Sequence, residues 1–142
     1  AWAAVDVRFP NAEGLSFFQS HLDALMERFR AAGMELAIEV VSRTPSMEAT
    51  EGNKALCAVI AAEAAIMGIQ VDAEFRGGVS DANTIAEAGT PVIDGLGPLG
   101  AHDHSDREYV IRTSLCQRSV LLALSLIAAR RRYEAGTLFR NG

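Results

Sequence analysis

Apolar and polar residues alternate in two segments near the start of the chain, and this period of two predicts half-buried β-strands. The strands cover Ala4–Phe9 and Met34–Val41. Between them, apolar residues of Glu13–Ala32 recur every three or four positions, which predicts an amphipathic helix. Gly33 follows it, where a helix end favours a left-handed residue. Residues 1–43 therefore predict strand, helix, strand, as part of either a parallel crossover or a ferredoxin-like sheet.

The second half of the chain predicts helices and strands in alternation, with glycine turns and loops between them. In chain order these are a helix capped by Thr50 and ending near Met67, strand Ile69–Phe75, a short helix capped by Ser80 or Asp81, strand Pro91–Ile93, and helix Ser114–Arg132. This alternation is typical of an α/β sheet, which binds ligands in the loops at its strand ends. Residues 44–51 are rich in turn formers and predict a boundary between two lobes.

Composition excludes two classes of partner. The formal net charge is −5, so no basic patch predicts binding to nucleic acid. The longest apolar stretch, Val120–Ala129, is too short to cross a bilayer and predicts a buried helix rather than a membrane partner. The two cysteines lie far apart, which favours a reduced, cytoplasmic setting. The chain starts in strand-like sequence without Met, so we expect it to begin inside a domain.

Metal-ligand character is concentrated in residues 102–106, His-Asp-His-Ser-Asp. Imidazole and carboxylate suit Zn²⁺, and the glycine-rich loop before them lets the backbone bend. From spacing alone this signal is weak, because His-x-His in a loop is solvated more often than it binds a metal. The remaining histidine, His21, lies on the polar side of the first helix. One or two histidines cannot complete a zinc site, so other ligands must lie elsewhere.

The glycine turn Gly77-Gly78 leaves two interpretations open. Its backbone N–H groups could approach an anion beside the following helix, or it could simply join a strand to a helix. Arg8 and Arg43 lie on or just after predicted strands, where solvated arginine is ordinary.

Three segments together resemble the C-terminal signature of a known family. They are residues 77–83 (Gly-Gly-Val-Ser-Asp-Ala-Asn), residues 89–98 (Gly-Thr-Pro-Val-Ile-Asp-Gly-Leu-Gly-Pro) and residues 104–110 (His-Ser-Asp-Arg-Glu-Tyr-Val). The chain resembles the dizinc exopeptidases and amidohydrolases, which include glutamate carboxypeptidase, acetylornithine deacetylase and succinyl-diaminopimelate desuccinylase. Residues 6–9 also resemble the family's lid strand, and residues 45–47 resemble the return to its catalytic domain.

The resemblance implies an α/β fragment of a two-domain metallopeptidase. Residues 1–44 would be the second half of a ferredoxin-like lid that also forms a homodimer, and residues 45–142 the C-terminal part of the catalytic domain. The complete enzyme would hold two zinc ions, with cobalt or manganese as alternatives. Its substrate would be a small amino-acid or peptide-like molecule with a carboxylate.

The resemblance also implies roles for individual residues. His104 would be a metal ligand, with His102 as the alternate, while Arg8 and Arg43 would bind the substrate. Gly78, Ser80 and Asn83 would line the substrate pocket. No catalytic residue falls in this chain, because the family's general base and other metal ligands precede the lid.

The expected function is therefore a fragment of a zinc-dependent hydrolase that cleaves an amide bond to release an amino acid or acyl group, and that is inactive alone and metal-free or weakly metal-binding. The alternative is a non-catalytic truncated relative that acts as a dimerisation module. A third interpretation is a metal-free α/β domain with solvated histidines.

Overall fold

The computed structural model describes residues 1–139, and within them it contains four helices and one two-stranded antiparallel sheet. In chain order the elements are α1 (Ala12–Ala31), α2 (Glu51–Ile66), α3 (Asp81–Glu87), β1 (Gly100–Ala101), β2 (Tyr109–Val110) and α4 (Arg112–Glu134). No helix in this part of the chain combines the length and apolar character needed to cross a membrane.

Capping side chains and glycines mark the ends of α1 and α2, although the cap of α1 was not predicted from the sequence. The Asn11 side chain caps α1 by accepting a hydrogen bond from the backbone N–H of Gly14 at 2.9 Å. Thr50 caps α2 in the same way, through the N–H of Asn53 at 3.2 Å. Gly33 and Gly68 follow α1 and α2 with φ of 76° and 69°, values that glycine adopts without a steric penalty. These local signals confirm the first two predicted helices.

The last two helices are also present, with small differences at the ends. Ser80, rather than Asp81, caps α3. Helix α4 runs from Arg112 to Glu134, two residues beyond the prediction at each end, and no side chain caps its start.

The four segments predicted as strands form no hydrogen-bonded strand within residues 1–139. They are Ala4–Phe9, Met34–Val41, Ile69–Phe75 and Pro91–Ile93. Alternation specifies which face of a strand is apolar but not which neighbour pairs with its N–H and C=O groups. Within residues 1–139 these segments therefore do not pair as strands, and the α/β class remains a prediction.

Contacts divide the chain into two compact units, each of which is discontinuous in sequence. Unit 1 contains residues 1–48 and 76–89, and unit 2 contains residues 49–75 and the chain from Thr90 onward. The first crossing, between Glu48 and Ala49, lies inside the predicted boundary segment. The return of residues 76–89 to unit 1 was not predicted. The proposed lid and catalytic parts, 1–44 and 45–142, remain predictions, and residues 140–142 of the second lie outside the described chain.

The core of unit 2 lies between α2 and α4. Ile60 and Ala64 of α2 pack with Leu121 of α4, and all three are buried. Partly buried apolar residues from the neighbouring segments cover this cluster: Met67, Ile69, Val71, Ile93 and Leu96. The apolar residues of Ile69–Phe75 and Pro91–Ile93 thus contribute to packing although the segments do not pair as strands.

Only one face of α4 is buried, which corrects the prediction of a buried helix over Val120–Ala129. Ser114, Leu121 and Ser125 face inward, whereas Leu126 and Ile127 are 62% and 51% exposed. Burial of a helix needs neighbours on all sides. In the described part of the chain, α2 is the helix that packs against α4.

The apolar stripe of α1 in unit 1 is only partly covered, and none of its residues is fully buried. Leu15, Phe18 and Leu22 are half-buried, while Leu25 and Phe29 count among the exposed hydrophobic residues.

Candidate functional site

The histidine segment forms the loop of a β-hairpin in unit 2. Strands β1 and β2 pair antiparallel, with Gly100 opposite Val110 and Ala101 opposite Tyr109. Residues 102–108 connect them and are all exposed. The sequence places both histidines in a loop, and the structure shows that this loop is closed by paired strands.

Both histidines have a left-handed backbone. His102 has φ of 63° and His104 has φ of 64°, and they are the non-glycine residues with positive φ in the described part of the chain. Histidine is one of the few types enriched there, yet the conformation costs roughly 1–2 kcal/mol per residue relative to a right-handed one. Two such residues within three positions turn the chain sharply and require support from their surroundings.

Ser105 supplies part of this support. Its hydroxyl donates to the His102 carbonyl oxygen at 2.7 Å and accepts from the N–H of Arg107 at 3.2 Å. Its carbonyl oxygen accepts from the N–H of Glu108 at 3.2 Å. No specific sequence signal predicts this role, beyond the general tendency of serine to bond to nearby backbone in turns.

The two imidazoles have different surroundings. The His102 ring lies beside Tyr109, with ring centroids 6.1 Å apart and planes tilted by 58°. Among residues 1–139, the His104 ring makes no hydrogen bond, ion pair or ring contact. The His102 ring nitrogens likewise have no hydrogen bond or ion pair in this part of the chain, so both imidazoles are open to an external partner, and the choice of His104 as the ligand stays a prediction.

The histidine loop can supply part of a metal site but not a complete one. No group of three or more His, Cys, Asp or Glu side chains is placed to hold a metal within residues 1–139. Zinc sites need three or four protein ligands, of which this loop offers one or two exposed imidazole nitrogens.

Arg8 and the glycine turn meet in unit 1. The Arg8 guanidinium donates from Nη1 to the Gly77 carbonyl oxygen at 3.2 Å. It also donates from Nε and Nη2 to Oδ2 of Asp6 at 3.1 and 3.0 Å. Asp6 was not identified as a partner from the sequence, although residues two apart in a strand-like segment share a face.

Ser80 and Asn83 use their polar atoms to build the start of α3. The Ser80 hydroxyl accepts from the N–H of Ala82 at 3.2 Å and from the N–H of Asn83, and Oδ1 of Asn83 accepts from the N–H of Ser80 at 2.9 Å. The reciprocal Ser80 and Asn83 bonds form a capping box. Nδ2 of Asn83 donates to the Pro45 carbonyl oxygen at 2.8 Å. Asn83 therefore ties the turn to the segment around Pro45.

The remaining two predicted residues are open to solvent. A Cβ atom added at Gly78 would meet nothing within 4 Å. Arg43 is exposed and, among residues 1–139, makes no side-chain hydrogen bond or ion pair, so nothing joins it to Arg8.

Unit 1 thus holds the predicted substrate-binding residues, and unit 2 holds the predicted metal-binding loop. Comparison with known proteins found no matching family, no matching curated protein and no matching solved structure.

Proposed function

We propose that this chain is the C-terminal part of a zinc-dependent hydrolase that cleaves an amide bond to release an amino acid or an acyl group. The observation that carries the proposal is the state of His104. It lies in the motif His-Ser-Asp-Arg-Glu-Tyr-Val, at the exposed tip of a hairpin, with an uncommitted imidazole and a left-handed backbone. Strained residues of this kind cluster at functional sites.

In this proposal His104 contributes one nitrogen ligand to a site of two zinc ions, or of cobalt or manganese. A bound zinc supplies a nucleophile by lowering the pKa of its water to about 7. The other ligands and the general base lie outside the described residues. Ser105 keeps the loop in its turn through the His102 carbonyl, so that the His104 ring faces outward.

Arg8 binds the substrate carboxylate in this proposal. Guanidinium and carboxylate can form a two-bond fork. Here Nε and Nη2 of Arg8 both donate to one oxygen, Oδ2 of Asp6, in an exposed pair, with side chains 64% and 73% accessible for Arg8 and Asp6. Exposed ion pairs are worth about 0–1 kcal/mol, so a substrate carboxylate can replace Asp6 at little cost. The bond from Nη1 to the Gly77 carbonyl oxygen keeps the guanidinium oriented while one carboxylate replaces the other.

The glycine turn lines the pocket in this proposal, with different roles for its residues. Gly78 has open space around it and can approach a ligand. Ser80 and Asn83 act through the backbone that they hold, because their polar atoms are engaged in capping and in the bond to Pro45. Arg43 is kept as a second, exposed carboxylate-binding position.

Two histidine variants of the complete enzyme test the proposal. We expect His104→Ala to remove one metal equivalent and most of the turnover. His102→Ala, which removes a ring that packs beside Tyr109, should have a much smaller effect and serves as the matched control. Metal analysis and turnover of purified variants give the answer.

The opposite pattern, with His102→Ala as the damaging change, would assign the ligand role to His102. If neither variant loses metal or rate, the hydrolase proposal fails.

A dimerisation module is the second candidate, and the exposed apolar residues of α1 favour it. Both candidates place a homodimer contact in residues 1–44, so light scattering should give a dimer in each case, and a clean monomer at micromolar concentration would count against both. The two candidates differ in zinc binding. The hydrolase needs His104 to bind zinc, whereas the dimerisation module does not.

A further inference from the structure

The hairpin that carries His104 is too short to fix its own loop. Strands β1 and β2 contain two residues each, and isolated two-stranded hairpins are marginally stable even when longer. A loop with two left-handed histidines therefore needs an anchor outside the hairpin.

That anchor is the first turn of α4. The Ser114 hydroxyl accepts a hydrogen bond from the N–H of Leu99 at 2.8 Å and donates one to the Ile111 carbonyl oxygen at 2.6 Å. The N–H of Ile111 donates to the Leu99 carbonyl oxygen at 2.8 Å. Leu99 immediately precedes β1 and Ile111 immediately follows β2, so the three bonds close the base of the hairpin into a ring.

This ring of hydrogen bonds can hold the hairpin loop in a defined position. Ser114 is 1% exposed, so water has little access to its hydroxyl. Because the hydroxyl both donates and accepts a hydrogen bond, its orientation is fixed. The next residue after Leu99 is Gly100, where an added Cβ would overlap the Tyr109 carbonyl oxygen. The two sides of the hairpin are therefore held together closely, directly beneath the histidine loop.

We infer that Ser114 is a positioning residue for the metal-binding loop, and that it acts on His104 through Leu99, Ile111 and the paired strands. The inference rests on the proposed function, because positioning has a purpose only if His104 binds a metal. It adds a residue that touches neither metal nor substrate, eight residues beyond the loop motif's Asp106.

The chain offers a matched control in the same helix. Ser125 is 5% exposed, also faces inward from α4, and its hydroxyl has no hydrogen-bond partner among residues 1–139. Ser114→Ala and Ser125→Ala thus remove the same atom from the same helix, but only the first breaks a bond to the hairpin. Ser114→Thr keeps the hydroxyl and should therefore restore the loop conformation and the zinc affinity.

Nuclear magnetic resonance on the 142-residue chain measures the loop, and zinc titration of the complete, metal-free enzyme measures the metal site. A left-handed residue has a short distance between its own amide proton and Hα, which gives a strong cross-peak. For zinc, the probe is the ion alone, added to the metal-free complete enzyme and followed by metal analysis, with His104→Ala as the variant that lacks the proposed ligand.

We expect Ser114→Ala to lose the strong cross-peaks of His102 and His104. Its apparent dissociation constant for zinc at His104 should rise about tenfold, the lower range for loss of a supporting hydrogen bond. Ser114→Thr and Ser125→Ala should match the unchanged chain in both measurements.

If Ser114→Ala keeps the cross-peaks, or loses them while zinc affinity stays the same, the positioning role is overturned. If the unchanged chain shows strong cross-peaks but His104→Ala leaves the zinc affinity of the complete enzyme unchanged, the ligand role is refuted and the inference falls with it. The cross-peaks, which need no metal, show which of the two has failed.

Discussion

The Asn83 side chain connects two backbone groups that are 35 residues apart in sequence, and Asn83→Ala removes both connections at once. Oδ1 accepts from the N–H of Ser80 at 2.9 Å, and Nδ2 donates to the Pro45 carbonyl oxygen at 2.8 Å. Asn83 is 8% exposed, so water has little access to the groups that the substitution leaves behind.

The expected size of the effect follows from these contacts. A net hydrogen bond is worth about 1 kcal/mol, and a buried group left without a partner adds part of its desolvation cost. Two such bonds give about 2–3 kcal/mol for Asn83→Ala, most of it as local opening of α3 and its N-terminal turn. Because every 1.4 kcal/mol is tenfold in an equilibrium, opening becomes about 30-fold or more favourable.

Hydrogen exchange of the Ser80 amide measures this opening directly, since that amide is the donor to Asn83. Thr84→Ala is the control, because Thr84 is the exposed next residue of α3 and its substitution should change exchange by no more than about twofold. Exchange within about threefold of the unchanged chain in Asn83→Ala would refute the structural role. A changed KM with unchanged exchange would instead indicate that Asn83 contacts substrate.

Two further substitutions test the packing of unit 2. Ser125→Ala removes a buried hydroxyl that has no partner among residues 1–139, and it introduces a better helix former. Urea unfolding followed by circular dichroism should therefore show a free energy of unfolding higher by about 0.5–1.5 kcal/mol. A lower value would show that the hydroxyl has a partner. Gly100→Ala forces a Cβ against the Tyr109 carbonyl oxygen and should cost about 1–3 kcal/mol in thermal unfolding. Gly97→Ala, where a Cβ meets nothing within 4 Å, is its control, and equal melting of the two variants would contradict the close approach.

The sequence predicted part of the candidate site because that part is local. His102 and His104 belong to one short segment, so their common loop follows from adjacency, and the cap at Ser80 follows from the residue types that open a helix. The contacts from Arg8 to Gly77 and from Asn83 to Pro45 join residues 69 and 38 positions apart. No local pattern specifies such pairs, and the same holds for the Ser114 bond beneath the histidine loop.

The sequence by itself determined the helices of this protein. Asn11 and Thr50 cap helices α1 and α2, and Gly33 and Gly68 follow their ends, because caps and left-handed residues act on the nearest backbone groups and need no distant partner. Only the tertiary structure decided which faces are buried and which extended segments pair. A strand needs a neighbour for its N–H and C=O groups, and an apolar helix face needs a surface to cover it, so both outcomes depend on what the whole chain brings together.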